Sequence, residues 1–590
     1  MKKIVALVML ALLPLTVNLR AFIDQDQVDK EEVMRLLNEL KVVKGILFTG
    51  RAWIYLDPVW GSGPAFDVMS KKMGFNPQMS LLMEMTAFPM PMVELGSRLR
   101  FIHSQRGGTQ LLGENLYADF ILFQFIRFRI GQCSEKFTPF TLQSSVDQVW
   151  MRSELFNAYY QEDLYAKLIP TDGSVPFEGL KMKFDLAMGQ DATVGLKAIA
   201  AKVLNDSQKG NSYDRYLAGL YLNGQAMKKA VGVEVASIMF ADYTNSGRRD
   251  GNLPKFYWTT SGTVTVNTAP LMGIPLFDVL GIEGEAAVSG HKANVSSTNH
   301  MTWGTAYQAN LTASIPKMLK LKAGYRQIAY EFVSPGAQTR YITPGVSGSQ
   351  FQNEDFYVSL GLAPFWFQDY FRNKIQFTRD YFDWLNTAYP MNVATPNRQG
   401  LFGDIKFNYM EMLSLAGNAS MMQEVRPTAK PNENVRSFLR VVAEGSLNLS
   451  KIANIQGLPK ISGFYIMEND DREDSALTSE DETENYKIRI LGVEAVFDLK
   501  VLKIIGMYQS FGITGRKIID VYNPAQQDAL KIAGYQIYDF GTTGIVDSVM
   551  GGGFIVRVSQ AVSMQIDGFL MSNDDSYKFL QARCLIDSRF

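Results

Sequence analysis

Cysteine is almost missing from this 590-residue chain: only Cys133 and Cys584 occur, far apart, so no disulfide framework supports the fold. Histidine is as scarce, with His103, His291 and His300 scattered along the sequence. Two cysteines and three histidines cannot be assembled by spacing into a metal site or an activated nucleophile. Enzyme chemistry therefore has nothing to rest on, and no cofactor is implied. A formal net charge of -1 excludes a general affinity for nucleic acid. Apolar runs long enough to span a bilayer as a helix, about 20 residues, are also lacking. The mean hydropathy of -0.06 is too polar for a helical membrane protein.

What is present is aromatic and glycine-rich: 37 Phe, 26 Tyr and 48 Gly, the composition of an all-β chain with many turns. The first residues, 1–21, read as a signal peptide. Lys2 and Lys3 give a positive start, Ile4 to Val17 is almost wholly apolar, and Leu19-Arg20-Ala21 offers a cleavage site. Residues 22–44 predict a short periplasmic helix, with Val33, Leu36, Leu40 and Val43 at heptad spacing. It packs under or inside the following domain, or serves as a small oligomerising helix. At the other end Leu580, Ala582, Cys584 and Ile586 alternate with Gln581, Arg583 and Asp587, and the chain finishes on Phe590. An apolar-out strand ending in an aromatic resembles the C-terminal signal read by the barrel assembly machinery of Gram-negative outer membranes.

Between the ends, alternation with period two recurs. Ile126, Phe128 and Ile130 point one way, Arg127 and Arg129 the other. Eighteen clear segments of this kind run from Gly45 to Phe590, and six weaker ones lie at Leu180–Leu186, Tyr216–Leu222, Tyr370–Phe377, Leu415–Val425, Ile461–Met467 and Gly534–Ile545. They predict an all-β fold over residues 45–590, a large antiparallel transmembrane barrel of about 24 strands, with 22 to 26 tolerated and an even number required. Short connections rich in Pro, Lys and Met (Phe88-Pro-Met-Pro-Met, Ile315-Pro-Lys-Met-Leu, Leu458-Pro-Lys-Ile) alternate with long polar ones. Tight turns on one side of a membrane and long loops on the other give this pattern. The cluster Phe365, Trp366, Phe367, Tyr370 and Phe371 is read as an interfacial aromatic girdle, and the acidic stretch from Glu468 to Glu484 as a solvated outer loop.

Gly131-Gln132 followed by Pro139-Phe140, after the alternating strand Phe128-Arg129-Ile130, resembles the G-Q-x-x-x-P-F signature of the phosphate-selective porin O and P family. Gly50-Arg51-Ala52 and Gly492-Val493-Glu494-Ala495 resemble an early and a late strand of that family. The likeness covers mainly residues 45–160 and 486–590. It departs from the pattern by six residues between Gln132 and Pro139, and by Cys133 where an aromatic is usual. It implies an outer-membrane channel. It also implies sixteen strands, fewer than the segments counted in this chain.

The expected function is a porin-like channel in the outer membrane of a Gram-negative-type bacterium, passing small polar, including anionic, solutes by passive diffusion. The alternative is a plugged barrel acting as a surface or scaffold protein without transport. Pore-lining candidates are Arg51, Arg98, Arg100, Arg127, Arg129 and Arg440, set against Glu94 and Glu444. These arginines either favour anions at a constriction or pair with acids and brace the wall. The helix-compatible stretch Thr141–Tyr160 is placed to fold inward as that constriction. Expected partners are outer-membrane lipid and lipopolysaccharide, the assembly machinery through Phe590, small solutes, and a second copy in a homo-oligomer.

Overall fold

The computed structural model describes residues 46–56, 59–62, 78–90, 92–104, 108–122, 125–146, 173–189, 191–204, 215–228, 230–243, 256–272, 276–292, 300–337, 339–341, 393–426, 435–472, 484–522, 532–539, 542, 545–559, 562–573 and 577–589. The signal peptide, the N-terminal helix, the Phe365–Phe371 girdle, Tyr370–Phe377 and Phe590 fall outside them.

Nearly everything described is antiparallel strand. In chain order the strands are β1 (Ile46–Leu56), β2 (Val59–Ser62), β3 (Gln78–Met90), β4 (Val93–Ser104), β5 (Gly108–Leu122), β6 (Ile126–Glu135), β7 (Ser144–Val146), β8 (Val175–Met188) and β9 (Ala192–Leu204). There follow β10 (Arg215–Ala226), β11 (Val231–Asp242), β12 (Phe256–Asn267), β13 (Val279–Lys292), β14 (Thr302–Ile315), β15 (Leu319–Ile328), β16 (Thr339–Tyr341), β17 (Arg398–Tyr409) and β18 (Leu413–Gln423). The last are β19 (Ser437–Asn448), β20 (Lys460–Arg472), β21 (Glu484–Asp498), β22 (Leu502–Thr514), β23 (Arg516–Tyr522), β24 (Ile532–Asp539), β25 (Ile545–Arg557), β26 (Val562–Asn573) and β27 (Tyr577–Arg589). Two short helices, α1 (Ala269–Met272) and α2 (Leu449–Ala453), sit in connections.

Twenty-three of these strands form one sheet. Both β1 and β2 pair with β27 in one unbroken register, Leu56 opposite Cys584 and Val59 opposite Gln581, so together they fill a single place. Because β27 hydrogen-bonds back to β1, the sheet is a closed ring of 22 places, the low end of the expected range. Closure removes every sheet edge, the condition for a sheet to sit in lipid. At about 4.8 Å between strands and a tilt near 40°, such a ring is roughly 45 Å across. A lumen that wide is either filled by protein or holds water.

The ring corrects the strand reading at particular places. β15 pairs directly with β17, Leu319 opposite Phe407 and Ile328 opposite Arg398, so no strand stands between them. Gly534–Ile545 was expected as a weak wall strand. Its residues up to Asp539 instead belong to β24, which pairs only with β23 in a hairpin outside the ring. The unforeseen wall strand is β9, between β8 and β10. Its lumen face carries Ile199 and Ala201, both buried, so polar and apolar residues do not alternate there. Ala-rich and apolar on both faces, ATVGLKAIAAKVL has the composition of a helix or core segment.

Loop lengths segregate as expected. Wall strands are joined at one end by residues 91–92, 189–191, 316–318, 410–412 and 499–501, while the connections at the other end are mostly longer. Several tight turns hold non-glycine residues in the left-handed region, such as Lys317 at φ 59° and Lys500 at φ 69°.

Alternate residues face outward and remain exposed: Leu180, Val194, Leu220, Val235, Val264, Ile282, Leu311, Leu401, Leu491, Val493, Leu580 and Ile586 among them. No water-facing surface would carry an apolar belt around a whole barrel. Aromatic pairs collect on this face toward the loop end. Trp258 meets Trp303 edge-on at 5.8 Å, and Tyr216 meets Tyr243 at 6.3 Å. Tyr307 lies 6.3 Å from Tyr325, and its hydroxyl donates to Gln327. These residues form the girdle of the described wall. On β21 the outward face passes from Phe497, Val493 and Leu491 to Arg489 and Lys487 as the loop end is approached, which marks the edge of the belt.

Candidate functional site: the lumen

The lumen is built from the other half of the alternation. On β6, Arg127 and Arg129 face inward beside Lys181 and Lys183 of β8. Arg129 is braced: its guanidinium Nε donates to Asp119 Oδ1 at 2.7 Å, a second nitrogen bonds the other carboxylate oxygen, and the group lies 4.3 Å over the Tyr117 ring. Tyr117 in turn donates its hydroxyl to Glu94 at 2.7 Å. Its ring fills the space over Gly96, where a Cβ would come within 2.2 Å of it. Glu135 takes Lys181 and Lys197, both at 2.8 Å, and Lys183 pairs with Asp185 at 2.7 Å. Arg127 is exposed to the lumen and makes no hydrogen bond or ion pair with another of the described residues. Among the candidate arginines of this wall, then, one is a brace and one is available.

Above this tier the segment after β6 turns inward. Gly131, at φ +108°, lets the strand pass so close to β5 that a Cβ would lie 2.1 Å from the Leu116 carbonyl oxygen. Residues 137–142 then form a tight knot, in which the Thr141 amide donates to the Thr138 carbonyl at 3.1 Å and the Phe137 amide to Leu142 at 2.9 Å. Phe140 is fully buried with Phe332, Ala287, Ala306 and Ile328, and Leu142 packs with Cys133, Phe177, Ile238 and Val333. The wall supplies polar anchors. Ser261 meets Thr138 at 2.6 Å, Glu285 accepts the Phe140 amide at 3.3 Å, and Ser289 accepts the Val333 amide at 2.9 Å. A second inward segment, from Ala329 to Ala337, interlocks with the first. Ser334 donates to the Thr141 carbonyl at 3.3 Å, and β16 pairs parallel with β7. The inward segment therefore begins earlier than the expected start at Thr141, and it docks by Pro139-Phe140 itself. Residues 147–160 lie outside the described set.

The facing wall carries buried ion pairs among apolar side chains. Arg440 and Glu468 pair at 2.7 Å, both buried. Glu424, the first residue beyond β18, binds Arg436 at 2.7 Å with Arg398 at 4.0 Å, and Arg436 reaches Glu484 at 3.9 Å. Burial alone would raise the Glu424 carboxyl, but the Arg436 and Arg398 charges overcome this and hold it below the ordinary carboxylate range. Arg398 also lies 4.2 Å over the Phe438 ring. Of the two roles expected of Arg440, its pairing with Glu468 fits the brace. One expectation changes here. Glu468, Asp470 and Glu484 are not part of a solvated loop but buried residues on β20 and β21. Three of the remaining candidates, Arg51, Arg98 and Arg100, lie on β1 and β4, and their side chains fall outside the described set. Glu444 lines a recess lower in this wall. Sequence reasoning missed Ser261, Glu285 and Ser289. Their only signal is a polar residue at alternate positions of GIEGEAAVSG and its neighbours, which any lumen strand would show.

No family model matches the chain, and no curated protein matches it. Solved structures that resemble it are the ferric citrate transporter FecA in the unliganded form, at TM-score 0.44 and 8% identity over 92% of this chain and 78% of that one; the usher PapC translocation pore, at 0.35 and 6% over 92% and 99%; and the outer membrane protein opdK from Pseudomonas aeruginosa, at 0.34 and 6% over 92% and 99%. Fold class is carried by the chain's own register: a closed antiparallel barrel of the outer-membrane type, apolar outside and polar or packed within.

Proposed function

We propose that this chain is an outer-membrane channel for passive diffusion of small polar solutes. The observation that carries the reading is the contrast of faces. The outside is an apolar belt suited to lipid, while the short-turn half of the lumen holds charged side chains still open to water, among them Arg127, Lys183, Lys322 and Glu444. Charges that stay solvated inside a closed ring require water in its lumen. The likeness to phosphate-selective porins at Gly131-Gln132 and Pro139-Phe140 supports the channel class. Anion preference would fall to Arg127, since Asp119 and Glu468 neutralise Arg129 and Arg440. The short turns would face the periplasm, with assembly through Phe590. Lys487 and Arg489 would lie at the level of lipopolysaccharide phosphates.

A second reading, a barrel closed by its inward segments and used as a surface or scaffold protein, is favoured by the packing of Phe140, Leu142 and Phe332 into one wall. Liposome swelling separates the two. Entry of small sugars and anions at rates that fall with solute size is expected; no entry of any solute would sink the channel.

A further inference from the structure

The recess in the lumen wall between β18 and β22 has a composition of its own. Two adjacent cross-strand rows build it. Ala416, Glu444, Phe464, Gly492 and Gln509 follow one another across five strands. One step nearer the short turns run Ser414, Ser446, Ser462, Glu494 and Met507. The small residues of these rows, Ala416, Gly492, Ser446 and Ser462 among them, hollow the wall into a cavity of about 150 Å³, the size of a single small solute. The Phe464 ring lies over Gly492, where a Cβ would come within 2.1 Å of Cε1, so glycine is what lets the ring form the cavity floor.

Its charged groups share one sign: Glu444 and Glu494 stand along it, and among the described residues no lysine or arginine lines it. Gln509 is 2% exposed, and its side-chain Oε1 is buried with no hydrogen-bond partner among the described residues. An acceptor left unmatched in a buried place costs about 1–3 kcal/mol unless something donates to it. Serine hydroxyls can donate or accept, and a ring face suits the C–H face of a sugar or a cation.

We propose that this recess is a solute-binding subsite for a small hydroxylated organic cation of amino-sugar size, held by Glu444 and Glu494, with Gln509 Oε1 accepting a donor from the ligand. It gives the proposed channel a site of opposite sign to its arginine-bearing wall. The inference rests on the lumen being reached by solute, but binding and conduction are read separately.

The test uses three sugars of one shape and different charge, glucosamine, glucose and glucuronate, titrated by calorimetry into the folded full-length protein in detergent. Glucosamine should bind about tenfold more tightly than glucose and glucuronate, the margin a charge-assisted contact gives. E444Q, at an exposed position, should weaken glucosamine about tenfold. A416L, which fills the hollow without changing charge, should abolish binding while circular dichroism stays that of the wild type. Equal affinity for the three sugars, no binding by the wild type, or binding unchanged in both variants would overturn the subsite. A conducting pore without glucosamine binding refutes the subsite alone. Binding without solute entry in liposomes refutes the channel alone.

Discussion

The wall from β6 to β14 and the wall from β17 to β22 obey the same alternation but fill the lumen differently. In the first, apolar inward residues such as Phe177, Ile238 and Phe240 form a core under two segments folded in from the loop end. In the second, inward residues at the loop end set paired ions among buried apolar side chains such as Phe438, Ile466 and Ile488, and lower down the wall opens into a recess. The lesson is that the lumen of a wide barrel is a second interior. One side of it is stabilised mainly by hydrophobic burial, and the other by hydrophobic burial together with buried charge pairs.

The difference can be broken most sharply at Glu468. Replacing it by leucine removes the buried carboxylate that faces the Arg440 charge and should cost about 3–5 kcal/mol, whereas the double variant R440L/E468L should recover most of that loss. Urea unfolding in lipid vesicles, followed by tryptophan fluorescence, reads both. Equal losses in the single and double variants would show that the pair is not the source of stability. On the opposite wall, F140A removes a fully buried ring and should weaken docking of the inward knot by about 3 kcal/mol. Single-channel conductance should rise accordingly, and an unchanged conductance would mean that the knot does not limit flow.

How much of this was legible beforehand follows the same division. Arg127, Arg129 and their outward partners could be read because the lumen face of β6 is charged. The closing strand β27 could be read because its outer face is apolar. β9 could not, since Ile199 and Ala201 face a protein core inside the barrel and erase the alternation. The stretch after Arg440 misled for the opposite reason. Acids at Glu468, Asp470 and Glu484 look solvated in sequence, and the arginines that make burial of Glu468 and Glu484 tolerable, Arg440 and Arg436, lie tens of residues away. The Gly131 to Phe140 motif was legible as a signature, yet its role as the docking point of the inward knot depends on Ser261 and Glu285 of distant strands.

Acid should act mainly on the ionic wall. Because Glu424 titrates below its unfolded value near 4.3, its contribution is complete above that pH and is lost as pH falls through the lower folded value. Stability measured from pH 6 to pH 3 should drop in the wild type and drop less in E424Q; identical acid profiles would remove Glu424 from the account. The smallest effect is expected from R127Q, since Arg127 has no hydrogen-bond or ion-pair partner among the described residues. Stability should stay within about 0.5 kcal/mol, with a reduced anion-to-cation permeability ratio measured by reversal potential in a salt gradient. An unchanged ratio would mean that Arg127 does not face the conducting path.

The central claim, that water runs through this barrel beside the sealed wall, is tested most directly by conductance in a planar bilayer. The purified wild-type protein should give discrete, ohmic current steps, and F140A should give larger ones. If neither produced current while both were inserted and folded, the barrel would be closed and the channel account would be wrong.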